Sequence, residues 1–467
     1  MALIIFSILL LGLLLIATGH LTNINRAAVA MFMGTVGWVL YICYGTDFVL
    51  SQYYSEYQAF LSGAASSSTI VKEFIAQNIF LKYVGKSSEI VLFLLATMTI
   101  VEILNNNGCF DFLIEWLRTR NSKKLLFNLT FFSFILSANL DNITTTTMML
   151  VIMHQLVPNR RQRIVYGSAI VIAVNCGGAL TVIGDPIGLV LWNSGAVTAS
   201  NFSLSLVLPC LISCALPIMW LGRTLPSHVE IQWDGLPYRG DDTNLNRWQR
   251  MLMLVVGIGG LWFIPTFHNI TKLSPFLGAL CVLSLLWIVN EIMNHKLMNT
   301  DQMIHRKVPR VLQYSVIQLI LFVMGIMLAM GVTYETGILG NIASFLNNEV
   351  HNVWILGILA GLISSVVDSF ATTMGFVTLF PVMDMHNLTL LPAMQYEYAS
   401  HFVQNGLYWK IIAYSSAMGG NILLIGAASG LALVKMEKIH IRWFFKEAGA
   451  VSAAAWLLGL AVMWAMN

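Results

Sequence analysis

Long apolar runs recur along the chain and are separated by short polar or basic segments. A membrane-spanning helix needs about 20 apolar residues, because each residue adds about 1.5 Å and the hydrocarbon core is about 30 Å thick. The first runs predict helices at Leu3 to Thr18, Ala27 to Tyr44 and Glu89 to Leu104. The more polar segment between the second and third helices, Asp47 to Ser88, is predicted to be a long loop outside the membrane.

The next run, residues 125–157, contains no Lys or Arg but is interrupted at Asn139-Leu140-Asp141-Asn142. Basic clusters flank this run on both sides, and the positive-inside rule places both clusters in the cytoplasm. A continuous helix of this length would be about 50 Å long, whereas each half alone is too short to cross the bilayer. Together these facts predict a re-entrant hairpin that turns at Asp141 and Asn142.

A broken spanning helix is predicted at residues 164–197, where Gly184-Asp185-Pro186 interrupts the apolar run. Glycine frees the backbone at this point, and proline removes a hydrogen-bond donor. A further helix at Ser203 to Gly222 leads to a basic cytoplasmic linker, residues 223–249.

The second half of the chain, residues 250–467, repeats the order of the first half, residues 1–222. Further helices are predicted at Met251 to Pro265, Pro275 to Asn294, Leu312 to Thr333 and Ala448 to Met466. A second hairpin is predicted at residues 353–383, where Asp368-Ser369 interrupts the run, and a second broken helix at residues 408–435.

Short motifs support an internal repeat. Two patterns of the first half recur in the second: Ser137-x3-Asp141 as Ser364-x3-Asp368, and Gly177-Gly178-x4-Ile183-Gly184 as Gly419-Gly420-x4-Ile425-Gly426. Each half is predicted to have five spans and one hairpin, and because five is odd, the second copy must be inverted. The predicted fold class is therefore an all-α polytopic membrane protein with two inverted-topology repeats and broken helices at an ion site. Inverted repeats with paired broken helices are typical of secondary transporters.

Composition agrees with a membrane protein. Of the 467 residues, 57% are hydrophobic and 10% are charged, whereas about 25% are charged in an ordinary soluble protein. The net charge of +3 comes from basic residues in short loops, so it reflects topology and does not indicate a nucleic-acid partner. The six cysteines lack metal-site spacing, and the first apolar run lacks the basic start of a signal peptide. We expect a multi-pass protein of a bacterial inner membrane.

Four carboxylates lie within the apolar runs: Glu102, Asp141, Asp185 and Asp368. A charge near the bilayer centre costs at least about 2.5 to 3.5 kcal/mol, so each needs a partner or a function. The breaks also supply neutral oxygen ligands of the kind that small hard cations prefer: Ser137, Asn142, Asn175, Thr181, Ser364, Ser369, Thr372 and Asn421. The alternative roles are structural: helix capping for the aspartates, an interfacial position for Glu102, and helix packing for the hydroxyls.

These residues predict exchange chemistry without a cofactor. Burial favours a protonated carboxylate, whereas a bound cation favours the ionised form. A site that holds either protons or a cation is the simplest route to cation/proton exchange. All ten histidines lie in loops or near segment ends, so we expect any proton to be carried by carboxylates.

At these residues the chain resembles the NhaD-type sodium/proton antiporters of the ion transporter superfamily, from about Glu89 to Ala448. The motifs that carry the resemblance are Ala96 to Glu102, Ser137 to Asn142, Ile170 to Ala179, Ile183 to Asp185 with Leu191-Trp192, and Gly419 to Ile439. The chain departs from the family pattern at Pro186-Ile187, where a valine and a threonine are usual, at Asn105 to Asn107, and at Ser369.

The resemblance implies export of Na⁺ or Li⁺ in exchange for H⁺ by a homodimer, in which a transport domain moves against a scaffold. The ion- and proton-binding residues that it implies are Asp141, Asn142, Asn175, Asp185 and Asp368, with Glu102 in support. We expect the Na⁺ site itself at Asp141, Asn142 and Asp368.

Two other functions are compatible with some of these features. The first is sodium-coupled uptake of an anion such as a dicarboxylate, which the absence of Lys and Arg at the breaks disfavours. The second is an intramembrane aspartyl protease that uses paired carboxylates, which the missing Gly-x-Gly-Asp element disfavours. We therefore predict a transporter and not an enzyme.

Overall fold

The structure of the chain is a computed structural model that describes residues 1–22, 24–61, 65–117, 119–230, 245–294, 314–389 and 392–466. Part of the predicted linker, residues 231–244, lies outside the described residues. The start of the helix predicted at Leu312 also lies outside them. The same is true of six basic residues that contribute to the predicted topology: Arg118, Arg239, Lys296, Arg306, Lys307 and Arg310. The described residues form helices, and their only β-pairings are two isolated bridges, Asn121 with His228 and Met383 with Val403.

Sixteen longer helices carry the architecture of the described residues. Those of the first half are α1 Ala2–Ala17, α2 Arg26–Tyr44, α3 Leu81–Asn106, α4 Ser122–Asn139, α5 Asn142–Leu156, α6 Arg160–Gly178, α7 Pro186–Asn193 and α8 Ala199–Leu221. Those of the second half are α9 Arg247–Thr271, α10 Pro275–Asn294, α11 Tyr314–Glu335, α12 Val353–Val366, α13 Ser369–Leu379, α14 Leu407–Leu423, α15 Ala428–Glu437 and α16 Ala450–Met466.

Shorter helical segments connect the longer ones. They are Gly19–Thr22, Thr46–Gln52, Tyr54–Leu61, Ser68–Phe74, Phe112–Leu117, Ile338–Phe345, Met385–Thr389, Ala393–Ser400 and Ile441–Phe444, with wider π turns at Ile75–Phe80, Leu346–Val350 and Phe445–Gly449.

Eight helical segments among the described residues are long and apolar enough to cross a membrane. They are Arg26–Tyr44, Ser68–Asn106, Ala199–Leu221, Arg247–Thr271, Pro275–Asn294, Val316–Glu335, Leu407–Glu437 and Ile441–Met466. The prediction of an all-helical membrane protein is confirmed. Shorter apolar helices, which include α1, α12 and α13, accompany these segments.

The segment from Asp47 to Ser88, which we predicted to be a loop, is largely helical instead. Its last third continues through the π turn at Ile75–Phe80 into α3, so one helical segment runs from Ser68 to Asn106. Lys72, Lys82 and Lys86 point to the exposed side of this segment. The opposite side is apolar and buried, with Val71, Phe74, Ile75 and Ile79 at helical spacing. The lysines therefore mark one face of a helix and not a break in it.

The chain divides into two compact units, and each takes segments from both halves of the sequence. Unit 1 comprises Met1–Val91, Ile317–Asn352 and Met374–Pro381. Unit 2 comprises Leu92–Val316, Val353–Thr373 and Val382–Asn467.

Unit 1 is held together where α2 and α11 cross. A Cβ atom on Gly34 would lie 2.9 Å from the carbonyl oxygen of Gly325, so the two backbones approach closely at small residues. Nearby, the indole Nε1 of Trp38 donates to the carbonyl oxygen of Leu328 at 3.0 Å. At the end of α11, the buried carboxylate of Glu335 accepts hydrogen bonds from two tyrosine hydroxyls.

Unit 2 is built from paired helices that hold the breaks in its interior. Helix α4 packs on α6, α12 packs on α14, and α8 packs on α16. Helix α6 also contacts α14 and α15, so the two interrupted segments, α6 with α7 and α14 with α15, meet each other. All the residues that we predicted to form the ion site belong to this unit.

Candidate functional site

Three aspartates occupy the N-caps of three half-helices, at the breaks where the sequence predicted them. Asp141 Oδ2 accepts from the backbone N–H and the hydroxyl of Thr144, at 2.8 and 2.7 Å. Asp185 Oδ1 accepts from the N–H of Ile187 at 3.0 Å, and Asp368 Oδ1 accepts from the N–H of Phe370 at 2.9 Å. Each carboxylate therefore satisfies an otherwise unpaired N–H group at a helix start.

Capping leaves one oxygen of Asp141 without a partner. Asp141 is 5% exposed, yet its Oδ1 atom is buried and forms no hydrogen bond. The hydroxyls of Thr145 and Thr146, in the first turn of α5, are likewise buried without a hydrogen-bond partner. Buried polar atoms almost always have a hydrogen-bond partner. One carboxylate oxygen and two nearby hydroxyl oxygens without partners are therefore compatible with a bound cation that has oxygen ligands.

Asn142 connects the start of α5 to the break between α6 and α7. Its Oδ1 accepts from the hydroxyl of Ser137 at 2.6 Å, and its Nδ2 donates to Asp185 Oδ2 at 2.5 Å. A Cβ atom on Gly178 would overlap the amide oxygen of Asn142, so glycine is needed where α6 ends beside this amide. The predicted residues Ser137, Asn142 and Asp185 therefore form one hydrogen-bonded chain.

The three aspartates share a buried setting within unit 2. All three side chains are at least nine-tenths buried. In such a medium like charges repel strongly, so the group is stabilised by a proton or a cation.

A second polar group lies where α6, α14 and α15 meet. Asn175 Nδ2 donates to Asn421 Oδ1 at 2.7 Å, and the hydroxyl of Ser429 donates to Asn175 Oδ1 at 2.6 Å. Asn421 Nδ2 in turn points at the sulfur of Cys176, 3.7 Å away. Two amides from different halves of the sequence are thus directly paired in the interior of unit 2.

Glycines on both interrupted segments lie against backbone carbonyl oxygens of α4 and α12. A Cβ on Gly177 would overlap the carbonyl of Phe134, and a Cβ on Gly419 would overlap that of Gly361. Seven residues later in each case, Gly184 and Gly426 meet the carbonyls of Ser137 and Ser364 in the same way. We call these two contact lines the first and second glycine seams.

The remaining predicted residues are placed less centrally. Thr181 donates its hydroxyl to the carbonyl of Ala138, which ties the first break to α4. The other second-half groups bond to backbone atoms: the hydroxyl of Ser364 to Ser416, the N–H of Ser369 to Gly426, and the hydroxyl of Thr372 to Asp368. Glu102 is 7% exposed within α3. The roles of these residues in ion binding stay predictions.

Some polar residues were not singled out by the sequence analysis. Ser429 follows the second break and carries the hydrogen bond to Asn175, and its position just after Gly426 was the available signal. Lys410 is a buried lysine within α14, at 8% exposure. Among the described residues, no three or more His, Cys, Asp and Glu side chains form a group that could hold a metal ion. A cation at the breaks would therefore rely on carboxylates together with amide, hydroxyl or carbonyl oxygens.

Comparison with known proteins agrees with this description. Residues 1–400 match the family model CitMHS, described as citrate transporter. A relative from Arabidopsis thaliana, sodium/proton antiporter 1, is 33% identical over 383 residues, which are 81% of this chain and 62% of that protein. The chain thus spans less than two thirds of the length of this relative.

A second relative is bacterial. The Na⁺/H⁺ antiporter NhaD of Vibrio parahaemolyticus is 24% identical over 390 residues, covering 76% of this chain and 86% of that protein. The resemblance to NhaD-type antiporters that the motifs predicted is confirmed.

A solved structure supports the fold. The YdaH transporter of Alcanivorax borkumensis superimposes with a TM-score of 0.54 and 12% sequence identity, over 83% of this chain and 88% of that one. The match over residues 1–400 places this integral, multi-pass membrane protein in the CitMHS family of transporters, with NhaD-type antiporters among its relatives.

Proposed function

We propose that the chain is a secondary antiporter that exchanges Na⁺ or Li⁺ for H⁺ at the breaks in unit 2. The observation that carries this proposal is the buried, unpaired Oδ1 atom of Asp141, in a unit that also buries Asp185 and Asp368. Relatives with the name sodium/proton antiporter support the choice of substrates.

The site would work by competition between protons and a cation. With the site empty, Asp141, Asp185 and Asp368 cannot all carry a negative charge at low cost, so protons bind. A Na⁺ ion that reaches Asp141 Oδ1 would displace these protons, with the oxygens of Asn142, Thr145 and the neighbouring backbone as neutral ligands. A site whose carboxylates are neutralised by Na⁺ or by protons could move across the apolar barrier, whereas an empty site with charged carboxylates could not. Transport of Na⁺ in one direction would therefore require transport of protons in the other.

The finer topology belongs to the same proposal. We take α4 with α5 and α12 with α13 to be re-entrant hairpins, in two inverted repeats. The equal spacing of the two glycine seams supports this arrangement, because each interrupted segment meets its own hairpin in the same way. A homodimer, alternating access and a bacterial inner membrane complete the proposal.

The test is cation-induced proton efflux from acid-loaded vesicles that contain the purified full-length protein. Addition of Na⁺ or Li⁺ should release protons, and K⁺ should release few. Asp141→Asn and Asp368→Asn should each abolish the response, because a neutral amide cannot exchange a proton for a cation. Asp384→Asn, the same change at an exposed position outside the site, should retain it. Sodium-dependent efflux that persists in both Asp141→Asn and Asp368→Asn would exclude the proposed site.

A second function is favoured by the family description. Citrate is an anion, and Lys410 is a buried cation on the helix that also carries Asn421. It lies 11 residues before Asn421, about 17 Å along the helix, so it is not at the break itself. Sodium-dependent uptake of labelled citrate, lost in Lys410→Gln, together with no proton efflux, would establish this function instead.

A further inference from the structure

Glu437, the last residue of α15, is a buried carboxylate at the end of that helix away from the second break. It is 3% exposed, and its Oε1 atom accepts from Arg163 Nε at 2.8 Å. The same oxygen lies 3.0 Å from His154 Nδ1. Glu437 belongs to the sequence motif Gly419 to Ile439, but the ion site proposed at the breaks does not use this residue.

Arginines on α6 also hold the backbone ends around this carboxylate. Arg160 Nη2 donates to the carbonyl oxygen of Glu437 at 2.7 Å. Arg163 Nη1 donates to the carbonyl of Pro158 at 2.7 Å, just after α5 ends. Carbonyls at helix ends lack partners within the helix, and cations there are favoured by the helix dipole. We call Glu437, His154, Arg160 and Arg163 the Glu437 cluster.

The cluster joins three helices, and each of them carries a candidate site residue at its other end. The pairs are His154 and Asn142 on α5, Arg163 and Asn175 on α6, and Glu437 and Ser429 on α15. At 1.5 Å per residue, the cluster lies about 18 Å from the site along α5 and α6 and about 12 Å along α15.

We propose that Glu437 is a positioning residue for cation binding. By fixing the ends of α5, α6 and α15 against one another, it sets how these helices are aligned at the breaks. That alignment determines how Asn142 on α5 sits against Gly178 on α6 and whether Ser429 on α15 reaches Asn175 on α6. This inference rests on the proposed cation exchange, and it assigns a role in cation affinity to a residue that does not touch the cation.

The test compares cation affinity with maximal rate for the full-length protein in vesicles. Glu437→Gln keeps the shape of the side chain but removes the charge that holds Arg163. We expect the Na⁺ concentration for half-maximal proton efflux to rise about tenfold, a typical effect of uncoupling interacting neighbours. The maximal rate per folded protein should change less than about twofold, since the carboxylates at the breaks are intact.

A double-mutant cycle makes the test specific. Arg163→Gln should raise the half-maximal Na⁺ concentration as Glu437→Gln does, and the double variant should raise it no further. If Glu437→Gln does not fold, because the Arg163 charge is left without its partner, Arg163→Lys and His154→Gln provide milder changes to the same cluster. Each should raise the half-maximal concentration by a smaller factor.

Asp111→Asn is the matched control. Asp111 forms an ion pair of 3.4 Å with Arg250 in the same unit, and neither residue lies on α5, α6 or α15. This variant should leave the half-maximal Na⁺ concentration unchanged. An unchanged value in Glu437→Gln, Arg163→Lys and His154→Gln, with the wild type active, would overturn the inference and leave the proposed function standing. A wild-type protein that responds to no cation would overturn both.

Discussion

The two oxygens of Asp141 are in different environments. Oδ2 caps α5 through Thr144, whereas Oδ1 is buried and has no hydrogen-bond partner. Asp141 therefore caps α5 with only one of its two carboxylate oxygens. Asp185 differs, because one of its oxygens caps α7 and the other accepts from Asn142. Of these two aspartates, Asp141 is the one with an oxygen free to receive a cation.

Gly178 provides a test of the amide beside Asp141. In Gly178→Ala the new Cβ would overlap Asn142 Oδ1, so the amide must move away from Ser137 and Asp185. We expect the half-maximal Na⁺ concentration to rise at least about tenfold, because the hydrogen-bonded chain at the break is disrupted.

Gly259 provides the control for this prediction. A Cβ there meets no atom within 4 Å, so Gly259→Ala in α9 should leave exchange unchanged and stabilise the helix by up to about 1 kcal/mol. Equal half-maximal concentrations for Gly178→Ala and Gly259→Ala in the efflux assay would show that the position of Asn142 does not matter for binding.

The residues of the candidate site were easier to predict from the sequence than the hydrogen bonds between them. Carboxylates in apolar runs stand out because charge is rare there, and this identified all three capping aspartates. The pairing of Asn142 with Asp185 joins residues 43 positions apart, and that of Asn175 with Asn421 joins residues 246 positions apart. Such pairs depend on tertiary packing, and no local pattern encodes them.

Among the elements, the interrupted helices were the most predictable and the amphipathic ones the least. Gly184, Asp185 and Pro186 mark a break through local backbone chemistry, and the structure ends α6 and starts α7 around them. The helix from Ser68 was missed because its lysines lower the average hydropathy of the segment, although its apolar positions keep helical spacing.

The end of α11 forms an element-scale anchor in unit 1. Glu335, at 2% exposure, accepts from the hydroxyls of Tyr53 at 2.8 Å and Tyr83 at 2.6 Å. The hydroxyl of Tyr41 is also buried but has no hydrogen-bond partner. The carboxylate thus ties α11 to α3 and to the short helical region before Tyr54.

Removing the hydroxyl should therefore change the free energy of unfolding differently at two tyrosines. Tyr83→Phe takes a donor from a buried carboxylate and should destabilise the protein by about 1.5 to 3 kcal/mol. Tyr41→Phe removes a buried hydroxyl that lacks a partner, so it should be neutral or stabilising. Thermal unfolding of the purified variants in detergent measures both, and a larger loss for Tyr41→Phe than for Tyr83→Phe would contradict this assignment.

At the scale of the whole molecule, compact units and sequence halves are different divisions. Unit 1 and unit 2 each draw on both halves of the chain, so neither half of the sequence forms a compact unit by itself. The order of helices and breaks was predictable from hydropathy and basic residues. The division into units was not, because it depends on which helices pack together.

The predicted topology can be checked with single cysteines in a protein whose native cysteines are replaced by serine. Arg161 lies in a basic cluster predicted to be cytoplasmic. Thr389 follows the second predicted hairpin, which an inverted second copy places on the outside; both residues are exposed. A membrane-impermeant maleimide added outside intact cells should label Thr389→Cys only. Labelling of Arg161→Cys should need permeabilised cells, and labelling of both variants in intact cells would refute the predicted orientation.

The glycine seams limit which substitutions a chain of this kind can accept during evolution. The four seam positions admit no larger residue without displacing the backbone of α4 or α12, so both halves must keep them. The residue after the last glycine of each seam nevertheless differs between the halves: Asp185 follows Gly184, whereas Ala427 follows Gly426. Mutation can therefore change the charge at one break while the packing of both stays the same. Packing of this kind allows new ion specificities to arise through substitutions in one half of the chain alone.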